Sequence, residues 1–214
     1  MKRRKVANLM GLAVLGTVLT RPMHPYEIAS VMRARGKDAD LPVKWGSLYR
    51  VVQNLESHGF LQVVHSERAG GRPERTVYEI TDAGRAELTD WVGELIADPA
   101  GGPAGFRAGL SLLGVLSPAE AAALLGRRAR ALEAALISAR AALDAAAEQV
   151  PRLFVVELEY DLAVCVTDLD WTRRLLAEIT EERMSGLDQW RDFHRTGRVP
   201  ADLAEAHERG TDPQ

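Results

Sequence analysis

The stretch Gly46-Ser47-Leu48-Tyr49-Arg50-Val51-Val52-Gln53-Asn54-Leu55-Glu56-Ser57-His58-Gly59 decides how the first half of this chain folds. Leu48, Val51, Val52 and Leu55 recur at i, i+3, i+4 and i+7, which is one stripe of a helix. The opposite face carries Ser47, Tyr49, Arg50, Gln53, Asn54 and Ser57. Gly59 is a natural stop, because glycine tolerates the left-handed backbone that ends many helices. The spacing therefore predicts a helix over 46–58, with one side for a core and the other for hydrogen-bonding partners.

Two helices are expected before it. Residues 6–19 are apolar nearly all round, including Leu9, Leu12, Leu15 and Leu19, and Arg21-Pro22 ends the run. Pro25 suits the first turn of a helix over about 25–35, whose apolar face is Tyr26, Ile28, Ala29 and Met32 and whose end is marked by Gly36. Two strands are expected after it. Leu61, Val63 and His65 alternate with Gln62, Val64 and Ser66, and Thr76-Val77-Tyr78-Glu79-Ile80 is rich in β-formers. Between them, Gly70-Gly71 and Pro73 make a long hairpin tip. Thr81 is placed to cap a further helix, with Asp82 in its first turn, reaching Ala97.

Helix, helix, helix, strand, wing loop, strand, helix is the order of a winged helix-turn-helix, whose third helix enters the DNA major groove. The exposed face of that helix has suitable chemistry. Arg50 is matched to guanine and Gln53 and Asn54 to adenine, with Tyr49 beside them. Lys44 and Ser47, near the helix start, are placed for phosphates. Arg68, Arg72 and Arg75 surround the hairpin tip and suit a minor groove or its flanking phosphates. Lys2, Arg3, Arg4 and Lys5 form a third basic cluster, expected to touch the backbone as a flexible arm.

Charge is divided along the chain. Of 214 residues with a net charge of −3, the first 90 carry 14 basic and 10 acidic side chains, and the rest carry 13 and 20. A basic head on an acidic body is expected of a DNA reader. The competing reading is a winged helix that binds protein instead of DNA; the basic wing weighs against it. The opening basic cluster and apolar run resemble a signal peptide. However, Asn8 and Thr17 interrupt the run, and no small-residue cleavage pattern comes after it. A cytoplasmic protein is therefore expected.

No enzyme is expected. The five histidines (24, 58, 65, 194 and 207) have no metal-ligand spacing, and no glycine-rich phosphate loop is present. Glu157, Glu159 and Asp161 do not share one helix face. The single cysteine, Cys165, reads as a small core residue. No metal or cofactor is called for. His24 has two readings, a helix cap or the lining of a ligand site, of which the cap is favoured.

The second half reads as helices. Asp98–Gly105 holds two prolines and three glycines and is taken as the domain boundary. Ser117-Pro118-Ala119-Glu120 starts a helix, with Ser as cap, Pro at the first position and Glu at the third. Leu125, Ala129, Leu132, Leu136, Ala139, Leu143, Ala146 and Val150 then mark a heptad seam. A second helix, from about Leu153 to Met184, repeats the seam through Val155, Leu158, Leu162, Cys165, Leu169, Thr172, Leu176 and Ile179. The expected architecture is mainly α with a small β-hairpin. It comprises a winged helix-turn-helix at 1–97, a linker and short connecting helix at 98–116, an antiparallel helical hairpin or coiled-coil dimerisation domain at 117–195, and a tail at 196–214. Val156, Ala163 and Val166 lie off the seam and call for a two-fold partner.

Three segments together resemble the PadR family of bacterial regulators. They are His24-Pro25-Tyr26-Glu27-Ile28, Gly46 through Leu61, and Val77-Tyr78-Glu79-Ile80-Thr81-Asp82-Ala83-Gly84-Arg85. Trp91 and the C-terminal hairpin with Trp171 resemble the longer members, with a virulence-activator-like C-terminal domain. The resemblance implies a homodimeric repressor on an inverted repeat of double-stranded DNA. It matches Ser47, Tyr49 and Arg50 to the recognition-helix motif and Tyr26 to the second helix. Pro25 departs from the glycine of many members. The dimer is implied to form from the C-terminal helices with the helix over Thr81–Ala97. Leu125, Leu132, Leu136, Leu143, Leu158, Leu162, Leu169 and Leu176 are the expected interface. The resemblance implies no particular small-molecule effector. A pocket for one is to be sought near Trp91, Trp171 or Trp190.

Overall fold

The computed structural model describes residues 4–34, 45–67 and 75–197. The chain forms two compact units, one through Val92 together with the chain from Asp192, the other Gly93–Arg191.

The first unit opens with α1 (Leu9–Val18), in which eight of ten residues are buried. A helix without a polar face belongs inside a domain, and α1 is the centre of this one. Asn8 caps it, accepting from the Met10 N–H at 2.9 Å. In α2 (Pro25–Ala34), Ile28, Ala29, Val31 and Met32 are buried. His24 and Glu27 cap its start reciprocally. The Tyr26 N–H donates to His24 Nδ1 (3.1 Å) and the His24 N–H to Glu27 Oε2 (2.9 Å). The capping role expected of His24 is thus present.

α3 (Trp45–Ser57) lies one residue earlier than its pattern suggested. Leu48, Val51, Val52 and Leu55 are all buried, as the stripe requires. The helix closes in a left-handed turn at Gly59 (φ 74°). The Gly59 N–H reaches Glu56 O and the Phe60 N–H reaches Leu55 O, satisfying two terminal carbonyls.

β1 (Leu61–Glu67) and β2 (Arg75–Ile80) pair antiparallel, from Leu61 opposite Ile80 to Glu67 opposite Arg75. The expected strict alternation of β1 fails at Val64. There the register shifts between Val63 and His65, and both Val63 and Val64 are exposed. One unpaired residue bends and twists its strand, so two neighbouring valines reach solvent. On the other side of β2, the backbone of Met23 exchanges two hydrogen bonds with that of Tyr78. This ties the entry to α2 onto the hairpin.

α4 (Asp82–Ala97) is capped by Thr81, as expected. The Thr81 hydroxyl accepts from the Gly84 N–H (3.0 Å) and donates to Gly59 O (2.6 Å). One side chain therefore caps α4 and holds the end of α3.

In the second unit, the proline- and glycine-rich segment 98–105 is not an open linker. Asp98 caps a 3₁₀ turn at Pro99–Gly101, accepting from the Ala100 N–H, and α5 (Gly102–Leu110) comes next. A Cβ on Gly109 would stand 3.0 Å from that of Leu95, and one on Gly105 3.2 Å from Leu95 Cδ2. These glycines allow two helices to touch, and the prolines start helical turns. Composition alone does not separate that use from a flexible joint.

α6 (Pro118–Ala147) carries the full Ser117/Glu120 capping box. α7 (Val156–Thr180) returns antiparallel beside it. The Arg128 guanidinium meets the Asp168 carboxylate (Nη2 to Oδ2, 2.5 Å), Arg173 meets Glu133, and Cys165 Sγ lies 3.6 Å from Leu132 O. The second helix ends at Thr180, short of the expected Met184. Arg183 and Met184 donate back to Glu178 O, and Glu182 and Gly186 take positive φ. A separate helix, α8 (Leu187–Thr196), completes the described chain.

Candidate nucleic-acid interface

The two faces of α3 divide as the pattern demands. With its leucines and valines turned into the core, Tyr49 (53% exposed), Arg50, Gln53 and Asn54 are left in solvent. Ser47 is half-buried, its hydroxyl donating to Met10 Sδ at 3.7 Å. It therefore faces α1 as well as the helix surface. At the far end, the His58 ring nitrogen Nδ1 lies 2.7 Å from Asn54 O and the Ser57 hydroxyl donates to the same carbonyl. These contacts use the backbone of Asn54 and leave its side chain exposed.

Tyr26, expected on the apolar face of α2, instead stands 69% exposed in its first turn, turned away from buried Ile28, Ala29 and Met32. A tyrosine that open does no packing; its ring and hydroxyl are available to a partner. Of the wing arginines, Arg75 opens β2 opposite Glu67. Lys44, Arg68 and Arg72 lie outside the described residues.

The N-terminal basic cluster is corrected at one position. Arg4 is no free arm. Its side chain is 2% exposed, and Nη1 meets Glu87 Oε1 at 2.7 Å and Asp90 Oδ2 at 3.2 Å. Its guanidinium carbon stands 5.3 Å from the centre of the Trp91 ring. Nothing in the spacing of Arg4 marks it off from its neighbours. The signal lies 83 residues away, in acidic Glu87 and Asp90 one turn apart on α4.

Arg85 is likewise turned to internal use, donating to Leu19 O at the end of α1. What sequence reasoning missed most plainly is the purpose of Gly84. A Cβ there would stand 2.1 Å from the carbonyl oxygen of Phe60. The Thr81 N–H also donates to that oxygen. The Ile-Thr-x-x-Gly run thus clamps the end of the candidate recognition helix against α4.

The family model for the PadR-like transcriptional regulators matches residues 14–90, the span from α1 through the start of α4. Residues 14–90 form a PadR-like domain. α3 and the β1–β2 hairpin lie wholly within that PadR-like span. Solved structures give further likenesses. Bacillus subtilis PadR in complex with operator DNA is 21% identical, covering 80% of this chain and 99% of its own, with a TM-score of 0.38. The same protein with p-coumaric acid is 20% identical over 81% and 99%, with a TM-score of 0.34. A PadR-like transcriptional regulator from Bacillus cereus is 16% identical over 81% and 99%, with a TM-score of 0.35. No curated protein matches the sequence.

The seam leucines of the second unit are also placed. Leu125, Leu132 and Leu169 are buried within the chain's own hairpin, and Leu136 and Cys165 pack partly against Ala129, Leu132 and Leu169. Leu143, Leu158, Leu162 and Leu176 are half-buried. The seam thus does its first work inside one chain. A different set is left in water: Ile137 (72% exposed), Leu153 (75%), Phe154 (64%), Tyr160 (69%), Val164 and Trp171. Of the three tryptophans considered for a pocket, Trp91 is buried and the Trp190 indole donates to Leu116 O. Trp171 is 38% exposed and meets Phe106 edge-on at 5.7 Å, and the Arg128 guanidinium covers the Phe106 ring at 3.7 Å.

Among the described residues, no helix is long and apolar enough to cross a membrane.

Proposed function

We propose that this protein is a cytoplasmic repressor that binds an inverted repeat of double-stranded DNA as a homodimer and is released by a small-molecule effector. The observation that carries DNA binding is the division of α3. Its four apolar positions are buried while Tyr49, Arg50, Gln53 and Asn54 stand free to meet base edges. Lys44, Ser47 and Tyr26 add contacts to the DNA backbone. Arg68, Arg72 and Arg75 of the wing hold the adjacent groove.

Dimerisation is supported by the apolar surface of the hairpin. Tyr160, Val164, Thr167 and Trp171 come at steps of 4, 3 and 4 residues along α7, so they share one exposed stripe. A second copy is the partner a two-fold operator requires, with recognition helices roughly 34 Å apart for one DNA turn. The seam leucines support this indirectly by building the hairpin that presents the stripe. The effector site we assign to the end of that stripe, at the part-exposed ring of Trp171, which meets buried Phe106 edge-on with the Arg128 guanidinium behind it.

The deciding experiment is a footprint on the DNA upstream of the protein's own gene, at two salt concentrations. A protected, two-fold symmetric site whose affinity falls steeply with salt is the expected result. No binding to any duplex, with the protein folded, would instead favour a winged helix that recognises protein.

A further inference from the structure

We propose that Arg4 is a positioning residue for DNA recognition, holding α1 and, through it, the reading face of α3 without touching DNA. The inference rests on the DNA-binding reading above.

The contacts form a continuous chain. Arg4 is fixed to Glu87 and Asp90 and lies over Trp91, which is itself 2% exposed. Two residues on, Val6 is buried against α1. A Cβ on Gly11 would stand 2.9 Å from Val6 Cγ1, and 3.9 Å from both Leu55 Cδ2 of α3 and a ring carbon of Trp91. The segment from Arg4 to Asn8 is therefore a strap, pinned at one end by charge on α4 and at the other by the Asn8 cap on α1. Beneath it, Met10 is the residue that Ser47 bonds at the start of the reading face. A shift of α1 thus moves the turn of α3 that carries Ser47, Tyr49 and Arg50.

Physical chemistry makes the pin strong enough to matter. A buried guanidinium with two carboxylates is held by charge-assisted bonds, and losing it strands Glu87, which is 16% exposed, without its cation. Non-specific binding needs only positive charge near phosphates, whereas base readout needs side chains held to within a fraction of an ångström. A loosened α1 should therefore damage the second and spare the first.

The test uses the full chain with Arg4→Gln, Arg4→Lys and the double variant Glu87→Gln/Asp90→Asn. Each is titrated against the duplex that wild type selects from a random pool, and against an unrelated duplex, over a range of salt. For Arg4→Gln the ratio of the two affinities should fall on the order of tenfold, as expected for one degraded base contact. Affinity for the unrelated duplex and its salt slope should be unchanged. The double variant should show the same fall, and Arg4→Lys should recover part of it. If the salt slope drops by roughly 0.9 on both duplexes, Arg4 is a phosphate contact and the proposal is overturned. Equal loss on both duplexes with unchanged slope overturns it too, because that is reduced folding alone. So does no change at all. Failure of wild type to bind any duplex would strike the DNA-binding reading instead.

Discussion

The carbonyl oxygen of Phe60 lies 2.1 Å from the point where a side chain on Gly84 would begin. No relaxation of a flexible group relieves that clash, because the obstructing atom is backbone. Gly84→Ala should therefore destabilise the first unit by about 1–3 kcal/mol or more, the usual cost of overpacking. Gly114→Ala is the control, since nothing stands within 4 Å of its Cβ position. Urea unfolding of both variants checks this, and equal midpoints would refute it.

Arg128 is 1% exposed and Asp168 24%, so their pair is largely out of water. Asp168→Ala should cost about 3 kcal/mol, at the low end for breaking a buried pair because the carboxylate keeps some solvent. Replacing both partners at once, Arg128→Met with Asp168→Leu, should recover most of the loss. A double variant as unstable as the single one in thermal unfolding would show that shape, not charge, sets the cost.

Arg50 and Gln53 should affect which sequence is bound as well as how tightly. Arg50→Ala and Gln53→Ala are each expected to lose about 1–3 kcal/mol of discrimination at one base position. Competition binding with single-base operator variants reads this directly. Uniform loss over all variants would make both residues phosphate contacts.

Tyr160 and Trp171 lie on the exposed stripe of α7 assigned to the partner copy. Tyr160→Asp should shift the oligomeric state toward monomer in sedimentation analysis, with helical content preserved. Leu132→Ala removes a residue buried inside the hairpin, and should lower stability by about 2–5 kcal/mol before it affects association. A dimer unmoved by Tyr160→Asp would place the interface elsewhere.

Ser117 and Glu120 bond reciprocally at the start of α6. Ser117→Ala should reduce stability by about 1 kcal/mol. A differential melt of the two proteins is sufficient to detect it.

Much of the fold was legible in the sequence because its signals are local. The apolar stripe of α3, the stop at Gly59, the Thr81 cap and the Ser117 box each depend on residues within one or two helical turns. The boundaries of α1 and α7 were less legible. Apolar residues begin before the backbone turns helical, as at Val6 before Asn8, and no glycine or proline marks the turn at Glu182, which takes a positive φ without one. The candidate site divides in the same way. Tyr49, Arg50, Gln53 and Asn54 were placed by helical period alone, whereas β1 lost its alternation to a bulge at Val64 that no residue type announces.

By itself the sequence determined the apolar stripe of α3, the stop at Gly59, the caps at Thr81 and Ser117, and which side chains of α3 are left exposed for a partner. All of these come from periods of 3.6 and from capping chemistry over a few residues. Only the tertiary structure decided the use of residues whose partners are remote. Arg4 became a buried pin because Glu87 and Asp90 arrive beside it. Gly84, Gly105 and Gly109 became contact points because another part of the chain arrives against them. Leu132 and Leu169 were used within one chain because the hairpin closes on itself first. Charge and size specify an interaction only once folding has brought the second group within reach.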